Sequence, residues 1–163
     1  MKPRLLVPLL LVCGTAMAGK KSSDSFTGYA GLKMRGIPAT KSKPFAKAWA
    51  MADHDNTTTR YASKKKTAPA FMGVKVDDAV LTVSKKLKFV VGFSLKLSGD
   101  RCAAVEKAIS KAWGEEQQIG GMNKEVEWPG SKISASMEHQ GLDCIVSIGD
   151  KGWDDVKDEL KKP

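Results

Sequence analysis

Apolar and polar residues alternate most regularly between Leu87 and Ser98. Over this stretch the odd positions are apolar, and the even positions are polar or small apart from Val90. A period of two is typical of a β-strand that buries one face, and antiparallel sheets commonly leave the other face to solvent. We therefore predict a long antiparallel strand, with Val80 to Val83 as its hairpin partner.

A helical pattern follows this strand. Asp100 stands where an N-cap residue is expected, and Gly114 stands where a helix would end. The apolar residues between them form one stripe at helical spacing, consisting of Cys102, Val105, Ile109, Ala112 and Trp113. The sequence thus predicts an amphipathic helix between Asp100 and Gly114.

The C-terminal third predicts further strands and a short helix. Val126 and Trp128 indicate a short strand that turns at Pro129-Gly130. Two apolar rows then flank the turn Gln140-Gly141 and predict a hairpin; they are Ile133, Ala135 and Met137, and Leu142, Cys144, Val146 and Ile148. Trp153, Val156 and Leu160 have the spacing of a C-terminal helix.

The N-terminal part shows weaker patterns. Residues 19–40 are predicted to form a flexible segment that merges into a first strand. A helix is expected from Ser42-Pro44 to about Asp53, and residues 41–163 are expected to form a single domain. The order of elements predicts an α+β fold, an antiparallel β-sheet with helices packed on one face as a two-layer sandwich, stapled by one disulfide.

Residues 1–18 have the pattern of an export signal peptide. Lys2 and Arg4 precede an apolar stretch, and Ala16-Met17-Ala18 fits a cleavage site before Gly19. The stretch is shorter than the roughly 20 apolar residues that span a bilayer. We expect an exported protein, periplasmic or extracellular, with no transmembrane helix in its mature chain.

Cys13 allows a second interpretation of this leader, as a lipid-attachment cysteine. Lipid attachment favours a small residue before the cysteine, whereas Val12 occupies that position. We therefore expect cleavage near Gly19 instead of lipid anchoring at Cys13.

Positive charge is concentrated toward the N-terminus. Residues 19–70 hold eleven basic and three acidic side chains, whereas residues 71–163 hold fourteen basic and fifteen acidic ones. Such a field favours an anionic envelope component or an acidic protein as partner. Nucleic acid is not expected, because aromatic residues are not interleaved with the lysines as in single-strand platforms.

Cys102 and Cys144 are the two cysteines that follow the leader. An exported protein meets an oxidising environment, and both positions lie on apolar rows that are expected to face each other. We predict a disulfide between them. The alternative is a reactive thiol favoured by the helix N-terminus, but the sequence contains no Cys-x-x-Cys arrangement.

Motifs for catalysis and metal binding are weak. His54 lies between Asp53 and Asp55, but an EF-hand calcium loop fails because its sixth position is Thr58 and its twelfth is Lys64. His139 lies in a predicted hairpin tip. No Gly-x-Ser-x-Gly elbow occurs. We therefore predict no catalytic residue, no metal and no cofactor.

The residues expected to contact a partner are basic or aromatic. Lys64, Lys65 and Lys66 form the densest basic group, with Arg60 nearby, and they would contact an anionic partner. Trp128, beside a turn, is expected to be partly exposed and is the candidate aromatic anchor.

Three functional hypotheses follow from the sequence. The first is an exported binding protein of a bacterial-type cell envelope whose basic N-terminal third contacts an anionic or acidic partner. The second is a hydrolase-like envelope enzyme that uses His54 or His139. The third is a structural envelope protein whose lysines serve only solubility.

Overall fold

The computed structural model describes residues 21–36, 45, 57–63, 68–120 and 124–157. These residues contain nine strands and two α-helices, after a short 3-10 helix at Ser23–Ser25. In chain order they are β1 (Gly28–Tyr29), β2 (Leu32–Lys33), β3 (Thr58–Ala62), β4 (Asp78–Ser84), β5 (Val90–Ser98), α1 (Arg101–Trp113), β6 (Gln117–Gln118), β7 (Glu125–Trp128), β8 (Ile133–Gln140), β9 (Asp143–Asp150) and α2 (Lys151–Val156).

Seven strands form one antiparallel sheet in the order β3-β4-β5-β9-β8-β7-β6, and β1 pairs with β2 in a separate hairpin. The predicted hairpins β4–β5 and β8–β9 are both present. At the centre of the sheet β5 pairs with β9, with Phe93 opposite Ile148 and Leu95 opposite Val146. The antiparallel sheet predicted from the sequence is therefore confirmed.

One face of the sheet carries the hydrophobic core. Ala79, Leu81, Phe93, Leu95 and Val146 are buried on it. Helix α1 adds its predicted stripe to this core with the exception of Ala112, which is exposed. Such a continuous apolar face is the main source of stability in a domain of this size.

The cover over this face differs from the predicted helical layer. In the described residues only α1 joins the core as a helix, and the remaining cover comes from the 3-10 helix, the β1–β2 hairpin and the segment around Phe71. The described protein is mostly β, and a two-layer sandwich with a layer of helices is not what it shows. This cover could not be predicted from the sequence, because short turns carry little periodicity.

Two local predictions were wrong. β5 begins at Val90 instead of Leu87, because residues 85–87 form a turn and Lys88 has a positive φ of 59°. A bulge then shifts the register of β5 with β4 between Thr82 and Val83. Leu142 lies in the β8–β9 turn and is 85% exposed. Asp100 occupies the predicted N-cap position of α1, but its backbone is helical and its side chain makes no capping hydrogen bond.

The predicted helix after Ser42 falls almost wholly outside the described residues. Phe45, which is described, forms a β-bridge with Ser63 and so does not occupy a helical position. Ser63 directly follows β3, so this bridge lies at the end of that strand. The other residues of that prediction are not covered by the structure.

Residues 21–36, within the segment predicted to be flexible, are built into the domain. Phe26 packs edge to face against Phe93 and Trp113. The Asp24 carboxylate accepts hydrogen bonds from the backbone N–H groups of Ser131 (2.9 Å), Lys132 (2.7 Å) and Ile133 (2.9 Å). These bonds hold the pKa of Asp24 well below its ordinary value.

Candidate functional site

The second face of the sheet is lined by small polar side chains. Successive side chains of a strand point to opposite faces, so the residues between the core positions lie on this face. One cross-strand row is Val80, Ser94, Ser147 and Ser136, and the next is Arg60, Thr82, Gly92, Gly149 and Ser134. The face therefore presents hydroxyl groups and bare backbone at its centre.

A groove of about 540 Å³ lies on this face. Its floor is formed by these two rows without Val80, together with Val91. Thr57 and Thr58 form one wall at the start of β3, and Trp153 in α2 forms another with Lys157, which directly follows that helix. We call this depression the hydroxyl groove; its volume falls within the range of about 300–1,000 Å³ that is usual for small-molecule sites.

Two glycines lie side by side under the hydroxyl groove. Gly92 and Gly149 are direct cross-strand partners. A Cβ on Gly92 would lie 3.0 Å from the Ile148 carbonyl oxygen, and one on Gly149 would lie 2.9 Å from Ser134 Oγ. Glycine weakens a strand interior and often marks a place where a ligand approaches the backbone. Here the glycine pair leaves its own part of the floor without side chains.

Thr58, at the β3 end of the groove, carries a hydroxyl without a partner. Thr58 is 6% exposed, and its Oγ1 is buried and makes no hydrogen bond within the described residues. Leaving a buried polar group unsatisfied costs about 1–3 kcal/mol. The β3 end of the groove therefore holds a hydroxyl group whose hydrogen-bonding capacity is unused within the described residues.

The charges that line the groove are mainly positive. Arg60 and Lys157 are its cations, and Asp150 is the one acidic residue among the described lining. Asp150 is 2% exposed and forms a bidentate ion pair with Arg35, in which Arg35 Nη2 lies 2.7 Å from Oδ1. The described lining thus holds two cations and one carboxylate, and the carboxylate is paired with Arg35.

The Asp150–Arg35 pair also fixes the position of α2. The Asp150 side chain accepts a hydrogen bond from the Gly152 N–H and so caps the helix. Trp153, one residue further, packs edge to face on Phe89 with ring centroids 6.3 Å apart. Together these contacts hold the α2 wall against the sheet.

The predicted disulfide is present. Cys102, in the first turn of α1, is joined to Cys144 of β9, with their Cα atoms 5.9 Å apart. Both residues are buried in the core. The bridge ties α1 to the apolar face of the sheet, on the side opposite the hydroxyl groove.

The expectation that Trp128 is partly exposed was wrong. Its side chain is wholly buried at 0% exposure, because strand alternation puts it on the core face of β7. Its Nε1 donates a hydrogen bond to Ser110 Oγ at 3.0 Å. A buried, hydrogen-bonded indole of this kind is part of the core.

His139 lies in β8 instead of a hairpin tip. Its Nε2 lies 3.4 Å from the Glu106 carboxylate, and Lys124 Nζ lies 2.6 Å from the same group. His139 is not among the residues that line the hydroxyl groove. In the described part of the chain no three His, Cys, Asp or Glu side chains are placed to hold a metal ion.

Several predicted residues fall outside the described ranges. These are the leader with Cys13, His54, and the basic group Lys64, Lys65 and Lys66. The enzyme hypothesis for His54 and the partner contacts of the three lysines remain predictions. Of the predicted contact residues, Arg60 is the one that the structure brings to the groove.

Sequence reasoning missed the groove itself. A signal was present, because the solvent face of the strands carries serine and glycine at 92, 94, 134, 136, 147 and 149, whereas β-branched and aromatic residues are the ones enriched in strands. Neither helix in the described residues is long and apolar enough to cross a bilayer.

Comparison with known proteins gives no guide to this site. No protein-family model matches the chain, and no curated protein and no solved structure matches it. The assignment of function therefore rests on the geometry of the groove.

Proposed function

We propose that this protein is an exported binding protein of the cell envelope and that it takes an anionic ligand in the hydroxyl groove. The observation that carries the proposal is the lining of that groove. Arg60 and Lys157 supply positive charge, and the single lining acid is paired with Arg35. Opposite charge in a concave site raises the local concentration of an anion.

The neighbouring chain adds to this field. Residues 19–70, which include Arg60, carry the eleven basic and three acidic side chains noted above. Arg60 and Lys157 also interact within the protein, so their role here is the potential that they create at the groove. Lys64, Lys65 and Lys66 follow β3 closely in sequence and are proposed to extend the field.

Export is supported by two features. The first 18 residues have the pattern of a signal peptide. A disulfide joins Cys102 and Cys144, and such bonds persist mainly in oxidising compartments. Both features are compatible with a periplasmic or extracellular location.

The proposal is tested by binding to a charged and an uncharged matrix. We expect the protein to be retained saturably on dextran sulfate and not on neutral dextran. Retention should fall as salt rises, because the Debye length shrinks from about 10 Å at 0.1 M to about 3 Å at 1 M. The measurement is a binding isotherm at each salt concentration.

A matched charge control separates the groove from general basicity. Arg60→Ser with Lys157→Ser should weaken retention at least tenfold. Lys107→Ser with Lys111→Ser removes the same charge from exposed positions of α1 and should change retention far less. Equal losses in the two pairs would show that net charge alone is responsible and would refute the proposal.

A further inference from the structure

We propose that the ligand of the hydroxyl groove is an acidic saccharide, whose anionic group lies at the Thr58–Arg60 end and whose hydroxyls lie along the serine row. This inference rests on the proposed function and adds the chemical class of the ligand. It is argued from the size, the chemistry and the charge of the groove.

The size of the groove excludes a lone small anion as its full occupant. At about 540 Å³ it matches the volume of sites for organic ligands of moderate size. A single phosphate or sulfate would fill only one end of it. A ligand that fills the rest of the groove must therefore have further atoms beside the anionic group.

The chemistry of the lining indicates what those atoms are. Typical small-molecule sites are mostly apolar with a few polar groups, whereas the floor here carries four serines around the glycine pair, beside the apolar side chains of Val91 and Trp153; the serines are Ser94, Ser134, Ser136 and Ser147. Each hydroxyl can donate one hydrogen bond and accept two. A ligand rich in hydroxyl groups, such as a saccharide, can both accept hydrogen bonds from these serines and donate hydrogen bonds to them.

The floor also lets a ring approach the backbone. Gly92 lies beside Gly149, so neither of these two positions places a side chain between the serine row and the α2 wall. Neighbouring strands are about 4.8 Å apart, so hydroxyls on adjacent strands recur at a spacing comparable to the width of a sugar ring. A flat polar ring can therefore contact several of them together.

The charge distribution orients the ligand. Thr58 and Arg60 lie at the β3 end, and the buried Thr58 hydroxyl has no partner within the described residues. A carboxylate or phosphate oxygen at this end would accept a hydrogen bond from the Thr58 hydroxyl. At the opposite side of the face, Glu127 continues the serine row beyond Ser136, and it is paired there with Lys151 at 3.8 Å, so that side has no excess of positive charge.

The test is a calorimetric titration of the purified full-length protein with four probes. Trigalacturonate is the acidic saccharide, maltotriose is the neutral one, triglutamate is an acidic peptide, and inorganic phosphate is a free anion. We expect saturable binding of trigalacturonate, with each of the other three at least tenfold weaker.

Variants place the binding in the groove. Ser147 is exposed on the groove floor, and Ser147→Tyr should abolish the binding of trigalacturonate by filling the groove. Gln140 is exposed at the end of β8 on the same face but does not line the groove, so Gln140→Tyr should leave binding unchanged. Ser94→Ala with Ser147→Ala adds no bulk, and it should weaken binding about tenfold through lost hydrogen bonds.

The outcomes separate this inference from the proposed function. If triglutamate or phosphate binds as tightly as trigalacturonate and Ser147→Tyr removes that binding, the saccharide is refuted and the anion site stands. If maltotriose binds as tightly as trigalacturonate, the anion site is refuted. If trigalacturonate still binds to the Ser147→Tyr variant, the groove is refuted as its binding site. If none of the four probes binds, both proposals are refuted.

Discussion

At the scale of single residues, Asp24 is the clearest case of one side chain that fixes a segment. Three backbone N–H groups and the Ser131 hydroxyl all donate to its carboxylate. The neighbouring Ser23 hydroxyl donates to the Ile133 carbonyl oxygen at 2.7 Å. Gly130 permits this approach, since a Cβ there would lie 2.0 Å from Ser23 Oγ.

We predict that Asp24→Asn lowers the free energy of unfolding by about 1–2 kcal/mol at neutral pH, because charged hydrogen bonds are replaced by weaker ones that water can reach. The native pKa of Asp24 lies below its ordinary value of 3.8, so its contribution is complete above roughly pH 5 and is lost as pH falls.

Denaturant unfolding from neutral to acidic pH measures this contribution. The stability of the unaltered protein should decline in acid more steeply than that of the Asp24→Asn variant. If the free energies of unfolding of the two proteins differ by the same amount at every pH, the assigned role of Asp24 is contradicted. Asp77 contributes a similar acid dependence in both proteins, because hydrogen bonds from Arg101 lower its pKa, and so it cancels in the comparison.

Residue environments were predictable where alternation was clear. Phe93, Leu95 and Leu97 are buried as expected. The predicted exposure of Trp128 was wrong, because its position in β7 decides its burial and the adjacent Pro129-Gly130 turn does not. The unpartnered Thr58 hydroxyl could not be predicted, since satisfaction depends on neighbours that are distant in the chain.

At the scale of elements, the disulfide is a covalent link between α1 and β9 of the sheet. Its cysteines are 42 residues apart in sequence. Closing a loop of this length restricts the unfolded chain and is expected to contribute about 4 kcal/mol. For a domain of this size, that is a large share of the net stability.

We predict that Cys102→Ala with Cys144→Ala lowers the free energy of unfolding by about 4 kcal/mol, and that reduction of the unaltered protein has a similar effect. Unfolding by guanidinium, with and without a reductant, measures both. A loss below about 1 kcal/mol in each case would contradict the role of the bridge. The double variant itself should be insensitive to the reductant, which serves as the control.

Elements with a strong period were located well from sequence. β4, β8, β9 and α1 all lie where the patterns indicated. β1, β2 and β6 have only two residues each, which is too short for any period to show. The bulge in β5 was also unpredictable, because it depends on the pairing with β4.

At the scale of the whole molecule, the two faces of one sheet have different roles. The apolar face carries the core, α1 and the disulfide, whereas the opposite face presents the hydroxyl groove. The sequence indicated the sheet and its buried face. Serines and glycines on the solvent face were a signal, but the groove itself could not be located from sequence, because its residues come together only in the folded sheet, from β3, β4, β5, β8, β9 and α2.

The most direct test of the account is to map the ligand site with amide chemical shifts of the isotope-labelled protein during a titration with trigalacturonate. We predict that the largest changes occur at Gly92, Ser94, Ser147 and Gly149, on the floor of the hydroxyl groove. Changes that spare these four amides while others move, or spectra that do not change at all, would contradict the assignment of the groove as the binding site.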